Sequence, residues 1–189
     1  MDHSDESLIA AYVRGGHEPF FEELVARHLG GVYSFALRLV GDGEAAQDLS
    51  QEIFVKAWSN LKKFDPALAS FKTWLMRIAR NACVDYLRKK RHVPLSAFDS
   101  PEGNPLVESA RDEAPLPDEI FARAGDADEL GEAVAKLSTP HREVLLLHYQ
   151  EGLTFDEIGT VLGTPSNTVK SRHRRALHQL RGLLRIQPI

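Results

Sequence analysis

The sequence predicts an all-α protein made of two small helical domains joined by an extended acidic linker. Three observations lead to this prediction. Apolar residues recur at helical spacing in two separate stretches, no alternating strand pattern of useful length occurs, and a stretch rich in proline and acids lies between the two. We place an N-terminal helical bundle over residues 1–92, the linker over 93–125 and a C-terminal helix-turn-helix domain over 126–189.

Three helices are expected in the N-terminal domain. The first runs from Pro19 to Val40, the second from about Glu44 to Leu61, and the third from about Ser70, a candidate N-cap, to Lys90. Helical spacing predicts that the following residues face inward: Phe20, Phe21, Leu24, Val25, Leu29, Val32, Tyr33, Ala36, Leu37, Val40, Ala45, Leu49, Ile53, Phe54, Ala57, Trp58, Leu61, Phe71, Trp74, Leu75, Ile78, Ala79, Ala82, Tyr86 and Leu87.

The next stretch cannot continue these helices. Prolines interrupt it repeatedly, at Pro94, Pro101, Pro105, Pro115 and Pro117, and acids outnumber large apolar residues. Helical periodicity resumes near Asp126. Four helices are predicted there: Asp128 to Leu137, Pro140 to Glu151, Phe155 to Leu162, and Pro165 to Leu184.

The segment TFDEIGTVLGTPSNTVKSRHRRAL carries the signals of two helices joined by a short turn. Thr154 and Glu157 have the spacing of a capping box, and Gly163 suits the left-handed position after a helix. Thr164-Pro165 would restart the chain with an N-cap and a proline at the first helical position. Small Gly159 would let the two helices approach closely. This is the pattern of a helix-turn-helix.

The second helix of this motif is basic and contains no acid. Its first turn leaves the helix N-terminus available for a phosphate. Such a helix suits the major groove of DNA, with early residues at base edges and later arginines near the backbone. The alternative is a basic amphipathic helix whose cations are only solvated.

Charge is strongly segregated along a chain whose formal net charge is only -4. The segment between Phe71 and His92 contains seven lysines and arginines and a single acid, Asp85. Six further cations follow Pro165 without any acid. Residues 93–132 hold eleven acids and two arginines. Because local field rather than net charge steers a nucleic acid, the sequence predicts two polyanion-binding modules on one connector.

The motifs of a metal site or an enzyme do not occur. Cys83 is the single cysteine, which excludes an internal disulfide and a cysteine metal cluster. The histidines form no H-x-x-x-H pair, and no glycine-rich phosphate loop occurs. The N-terminus is unlike a signal peptide, and no apolar stretch reaches about 18 residues. We expect a cytoplasmic, soluble protein without cofactor, metal, membrane span or enzymatic activity.

Two blocks of sequence resemble a known family. LSTPHREVLLLHYQEGLTFDEIGTVLGTPSNTVKSRHRRALHQLR resembles the C-terminal promoter-binding domain of bacterial RNA polymerase sigma factors. FEELVARHLGGVYSFALRLVGDGEAAQDLSQEIFVKAWSNLKKFD and FKTWLMRIARNACVDYLRKKRH resemble their second conserved region, in the compact form of the extracytoplasmic-function, or group four, factors. The resemblance implies a sigma factor that binds core RNA polymerase, at the clamp helices of the largest subunit and the flap of the second largest, and directs it to promoter DNA.

The resemblance assigns sites in the N-terminal domain. Within DLSQEIFVKAW, contacts to the clamp helices are implied for Asp48, Gln51, Glu52 and Phe54. Melting and capture of the minus-ten element are implied for Lys62, Lys63, Phe64, Phe71, Arg77, Arg80, Asn81 and Arg88. The alternatives are a metal site or a solvated face at Asp48 and Glu52, and a plain surface role for Asn81. Trp74 could stack on a base, but its spacing favours the core.

In the C-terminal domain the resemblance implies binding of the minus-thirty-five element. The residues concerned are Thr154, Asn167, Lys170, Ser171, Arg172, Arg174 and Arg175, among which Thr154 and Arg172 are expected to contact phosphates. His173 stands where the family usually has an apolar residue. Either its imidazole is buried and neutral, or the helix is slightly rotated.

The resemblance has two further implications. An anti-sigma partner is expected, and the linker is expected to thread a basic channel of the polymerase, with a flexible tether as the alternative. The rival function is a stand-alone helix-turn-helix regulator of transcription. That reading leaves the helices that carry Glu52 and Asn81 unexplained.

Overall fold

The computed structural model describes residues 3–91 and 127–184, and its regular structure there is helical throughout. This confirms the all-α prediction for those residues, while the predicted linker lies outside them. The α-helices of the described ranges are α1 (Asp5–Gly15), α2 (Glu18–Val40), α3 (Gly43–Asn60), α4 (Phe71–Arg91), α5 (Ala127–Ala135), α6 (Thr139–Leu145), α7 (Phe155–Leu162) and α8 (Ser166–Leu183). We call residues 3–91 the N-terminal module and residues 127–184 the C-terminal module.

Helix α1 is an element that the sequence analysis missed. Ser4 caps it by accepting a hydrogen bond from the Ser7 backbone N–H at 3.3 Å, and Gly16 ends it in the left-handed conformation at φ +66°. Its apolar residues Leu8 and Ile9 are buried. The helix therefore covers one side of α2 and completes the N-terminal bundle.

Helix α2 runs without interruption through Gly30 and Gly31. The inward prediction was wrong for Leu29 and Tyr33, which are exposed, whereas Phe35 is fully buried. The apolar residues of α2 cover more of its circumference than the neighbouring helices can bury, so part of the predicted stripe remains in solvent.

Helix α3 begins at an N-cap, where the Asp42 carboxylate accepts a hydrogen bond from the Ala45 backbone N–H at 3.2 Å. Trp58 near its end is 52% exposed, so the prediction that it faces inward was wrong. Its indole N–H donates to the Tyr12 hydroxyl, and its ring lies 6.4 Å from that of Phe21. The polar edge of the indole thus keeps this ring at the surface rather than in the core.

Helix α4 begins after Ser70, whose hydroxyl accepts a hydrogen bond from the Thr73 backbone N–H at 3.2 Å, as predicted for an N-cap. The helix is buried on two sides. Leu75 faces the N-terminal bundle as expected, but Met76 and Cys83 are equally buried. The second buried side results from packing against α7 of the C-terminal module.

The two modules share one apolar core. Val144, Leu147 and Ile158 of the C-terminal module belong to the same buried cluster as Leu24 and Met76 of the N-terminal module. A smaller cluster beneath α8 consists of Ala133, Leu137, Leu145, Ala176, Leu177 and Leu180.

A π-helical turn, Leu146–Gln150, extends α6 and leads into the helix-turn-helix. No helix in the described part of the chain has the length and apolar character needed to cross a bilayer.

Candidate nucleic-acid interface

The turn between α7 and α8 has the geometry that the sequence predicts. The Thr154 backbone N–H donates to Glu157 Oε2 at 2.9 Å, and the Glu157 backbone N–H donates to Thr154 Oγ1 at 3.3 Å. These two bonds form the capping box. The hydrogen bond from the Thr154 backbone is also the main cause that lowers the pKa of Glu157. Gly163 ends α7 in the left-handed conformation at φ +65°.

Gly159 and Thr164 lie against each other in the turn. A Cβ on Gly159 would lie 2.8 Å from the Thr164 carbonyl oxygen, so the predicted close approach is confirmed. The prediction that Thr164 caps α8 was wrong by one position, because Pro165 occupies the N-cap and α8 begins at Ser166. The Thr164 backbone N–H instead donates to the Gly159 carbonyl at 3.0 Å and closes the turn.

Helix α8 presents a cationic surface on the side away from its module. Val169, Ala176, Leu177 and Leu180 anchor its buried side. The predicted DNA-binding residues Asn167, Lys170 and Arg174 are exposed, as is Thr154 at the start of α7, while Ser171, Arg172 and Arg175 are half-buried. With no acid along α8, this surface suits a polyanion.

His173 is a packing residue of α8. Its Nε2 lies 2.8 Å from the Tyr149 hydroxyl, and its ring centroid lies 5.3 Å from that of His148 and 5.1 Å from that of Phe155. Burial is the main cause that lowers its pKa to about 4, and His148 adds to the effect. Of the two readings left open by the sequence, the geometry agrees with the buried neutral imidazole.

The predicted polymerase-binding residues lie along α3. Asp48, Gln51 and Glu52 are exposed, and Glu52 pairs with Lys56 at 2.5 Å. Phe54 lies in the core beneath them and is 7% exposed, so it supports this surface from below. Within residues 3–91 and 127–184, no three His, Cys, Asp or Glu side chains are placed to hold a metal ion.

The predicted minus-ten residues are brought together only in part. The ring of Phe64 lies 5.8 Å from Phe71 and 5.6 Å from Trp74, which forms an aromatic cluster next to the exposed Lys62 and Lys63. Trp74 is half-buried, in agreement with the packing role that its spacing favours.

The cations of α4 have different surroundings from one another. Arg77 and Asn81 are exposed, and Arg88 pairs with Asp85 at 3.2 Å. Arg80 points away from the surface and pairs with Glu143 of α6. Glu143 had not been singled out in the sequence, because an acid before an apolar run gives no sign that it is buried.

Comparisons with known proteins agree with the resemblance. Residues 24–93 match the family Sigma-70 region 2, and residues 127–180 match the family Sigma-70, region 4. The chain is 34% identical over 166 residues to the ECF RNA polymerase sigma factor SigE of Mycolicibacterium smegmatis, covering 88% of this chain and 62% of that relative. It is 31% identical over 177 residues to the ECF RNA polymerase sigma factor SigW of Bacillus subtilis, covering 92% of this chain and 93% of that relative.

Solved structures extend the similarity to three dimensions. CnrH in complex with the cytosolic domain of CnrY has a TM-score of 0.69 and 28% sequence identity, with 97% of this chain and 98% of that one covered. The sigma factor RpoE in complex with the anti-sigma factor NepR from Bartonella quintana has a TM-score of 0.66 and 26% identity, with 88% and 98% covered. The chain therefore belongs to the extracytoplasmic-function (ECF) group of RNA polymerase sigma factors.

Proposed function

We propose that this protein binds core RNA polymerase and directs it to specific promoters, where it takes part in melting the minus-ten element. The observation that carries the proposal is the cationic, acid-free α8 in helix-turn-helix geometry on the same chain as a matched sigma region 2. The protein is then a specificity factor rather than an enzyme, because the polymerase performs the chemistry. Its place of action is the cytoplasm.

Recognition of the minus-thirty-five element is assigned to α8. Lys170 and Arg174 are exposed whereas Val169 is buried, so a duplex can reach the two cations without displacing the core. Ser171 and Arg175 lie beside them, while Thr154 and Arg172 are suited to phosphates. The single strand of the minus-ten element is assigned to α4 and to the loop before it, where cations lie next to the aromatic cluster.

Polymerase binding is assigned to the exposed row Asp48, Gln51 and Glu52 of α3. Carboxylates at i and i+4 form a narrow acidic stripe, and Phe54 fixes the helix beneath it. The function of a stand-alone regulator leaves this stripe unexplained. The solved relative bound to NepR also supports a regulatory partner of anti-sigma type for this chain.

Run-off transcription with core polymerase and a library of promoter fragments tests the proposal. The wild-type chain should select a subset of promoters that core polymerase alone does not use. Glu52→Ala should weaken co-purification with the core polymerase, while Glu6→Ala, which removes the same charge from exposed α1, should not. Failure of the wild type both to bind the core and to change the start sites would refute the assignment.

The role of α8 is tested separately on the selected promoters. Arg175→Ala should cost about 1–3 kcal/mol at one upstream base pair if Arg175 contacts a base edge. Arg38→Ala on the exposed surface of α2 is the matched control and should leave promoter choice unchanged. Unchanged promoter selection in Arg175→Ala would show that this arginine is not a base reader.

A further inference from the structure

Helix α1 precedes the residues that match Sigma-70 region 2, which begin at residue 24. Besides burying Leu8 and Ile9, this helix carries a carboxylate that reaches α2. His28 Nε2 of α2 lies 2.7 Å from Asp5 Oδ2 in the first turn of α1. The two side chains are only 15% and 20% exposed, so the bond is largely shielded from water.

The carboxylate of Asp5 is held by two partners. Its Oδ1 accepts a hydrogen bond from Arg27 Nη1 at 3.1 Å, while its Oδ2 lies against His28. An ionised carboxylate only accepts hydrogen bonds, so the Nε2 of His28 is the donor. With each oxygen held by a different side chain, the carboxylate has a fixed orientation, and it fixes the plane of the imidazole in turn.

The imidazole of His28 also packs against the first residue of α4. Its ring centroid lies 5.3 Å from that of Phe71, and the two planes meet at 68°. Such an edge-to-face contact depends on how each ring is turned. Phe71 is 1% exposed. A rotation of the imidazole would therefore be felt by a side chain that has little space in which to move.

Phe71 is the buried base of the aromatic cluster beside the predicted minus-ten cations. Its ring centroid lies 5.8 Å from that of Phe64 and 5.8 Å from that of Trp74. Phe64 and Trp74 are half-buried, so part of each ring is open to solvent. An unstacked base needs such a ring to stack on. Phe71 is too deeply buried to serve in this way, but it sets the position of the two rings that can.

We propose that His28 is a positioning residue for capture of the minus-ten strand. Held by Asp5, it fixes Phe71 and, through Phe71, the rings of Phe64 and Trp74 that receive an extruded base. This inference rests on the proposed function. Helix α1 then contributes to promoter opening without touching the DNA. A contact that only fastened α1 to the bundle would change stability but not the response to a single base.

Two variants break the contact, and two controls leave it in place. Asp5→Ala removes the carboxylate, and His28→Leu replaces the imidazole by an apolar side chain that is well tolerated in a helix. Glu6→Ala removes the same charge as Asp5→Ala from the same turn of α1, at an exposed position. Arg27→Gln breaks the neighbouring ion pair with Asp5 and leaves the bond to His28.

The first measurement follows the aromatic cluster without DNA. The chain has two tryptophans, so in a Trp58→Phe background the fluorescence reports on Trp74 alone. Acrylamide quenching measures how far this ring is open to solvent. Asp5→Ala and His28→Leu should raise the quenching constant about twofold, because the cluster loosens, and both controls should match the parent chain. Circular dichroism establishes that each variant is folded.

The second measurement follows base capture. Each chain is assembled with core polymerase and binds a labelled single strand that spans the minus-ten element of a promoter selected by run-off transcription. Parallel strands carry an abasic residue at one position at a time. At the captured base the abasic strand should bind the wild-type holoenzyme about tenfold more weakly, because base–aromatic stacking is lost. In Asp5→Ala and His28→Leu this ratio should fall to about threefold, with the affinity for the abasic strand unchanged.

Equal quenching of Trp74 in Asp5→Ala and its parent would overturn the inference, even if His28→Leu loses its fold. So would equal weakening of the intact and abasic strands, which is the result expected of a purely structural contact. If the quenching changes but no abasic position matters to the wild type, capture of a base by this cluster fails, and the positioning of Trp74 by His28 stands. If the wild type distinguishes the base and Asp5→Ala retains the full ratio, the positioning role alone fails.

Discussion

Helices α4 and α8 are both rich in cations, but they present their charges differently. On α4, Lys72 and Arg80 lie against carboxylates of the other module. On α8, Lys170 and Arg174 are exposed, and the helix has no acid of its own. The number of positive charges on a helix therefore does not say which of them a nucleic acid can reach.

The difference arises from packing. Helix α8 rests on its own module through one apolar side, where Val169, Ala176, Leu177 and Leu180 are buried, while Lys170 and Arg174 are exposed. Helix α4 lies between the N-terminal bundle and α7, so it has a second buried side that carries Met76 and Arg80. A cation on that side must have an anionic partner, because an unpaired buried charge is costly.

The largest expected effect is a loss of stability when the buried arginine of α4 is replaced by alanine. The same replacement of an exposed arginine on α8 provides the comparison. Arg80→Ala leaves the Glu143 carboxylate buried without its guanidinium, so we expect the free energy of unfolding to fall by about 3 kcal/mol. Arg174→Ala removes an exposed cation and should change it by less than about 0.5 kcal/mol. Urea denaturation followed by circular dichroism measures both.

Arg80→Lys is the informative companion variant. It keeps the charge but loses the planar fork of donors, so its stability should fall between those of the wild type and Arg80→Ala. Similar losses for Arg80→Ala and Arg174→Ala would contradict the distinction between the two helices.

The fold was predictable where its signals are local. The start and end of α7 are set by Thr154, Glu157 and Gly163, and the observed bounds match the predicted ones. Helix α1 was missed because its apolar run is short. Periodicity also placed Tyr33 and Trp58 inward, since it identifies apolar positions but not how many of them neighbouring helices can cover.

The candidate site was predictable as a set of residues but not as a set of contacts. The sequence shows the cations of α4, whereas the partner of Arg80 lies sixty-three positions away in HREVLLL. Tertiary packing buries Glu143 and also brings that guanidinium to its carboxylate. Such a pair has no local signal, and a single sequence gives no means of finding it.

A smaller loss of stability is expected when the pH is lowered. The buried side of α8 carries the neutral His173, whereas the buried side of α4 carries the charged Arg80. The pKa of His173 is about 4 in the folded chain and about 6.5 when exposed, so between these values the unfolded state binds more protons. The free energy of unfolding should therefore fall as the pH is lowered from about 7 to about 5. The expected contribution of His173 is about 1–2 kcal/mol, allowing for its partial exposure.

His173→Leu should remove this part of the acid sensitivity, because leucine fills the space beside Tyr149 and Phe155 without binding a proton. His178→Leu, at an exposed position of the same helix, should retain it. Thermal unfolding at several pH values compares the three chains. An unchanged pH profile in His173→Leu would show that the imidazole is not kept neutral by its surroundings.

The smallest expected effect is on the salt dependence of DNA binding. Each phosphate contact releases counterions, so Arg172→Ala should reduce the slope of log affinity against log salt by about one for a short duplex of mixed sequence. Arg77→Ala removes the same charge from an exposed position of α4 and should leave that slope nearly unchanged, since the duplex binds α8. Fluorescence anisotropy over a salt series measures both slopes. If Arg77→Ala lowered the slope as much as Arg172→Ala, the duplex would be bound by both helices, and the difference drawn between them would not hold.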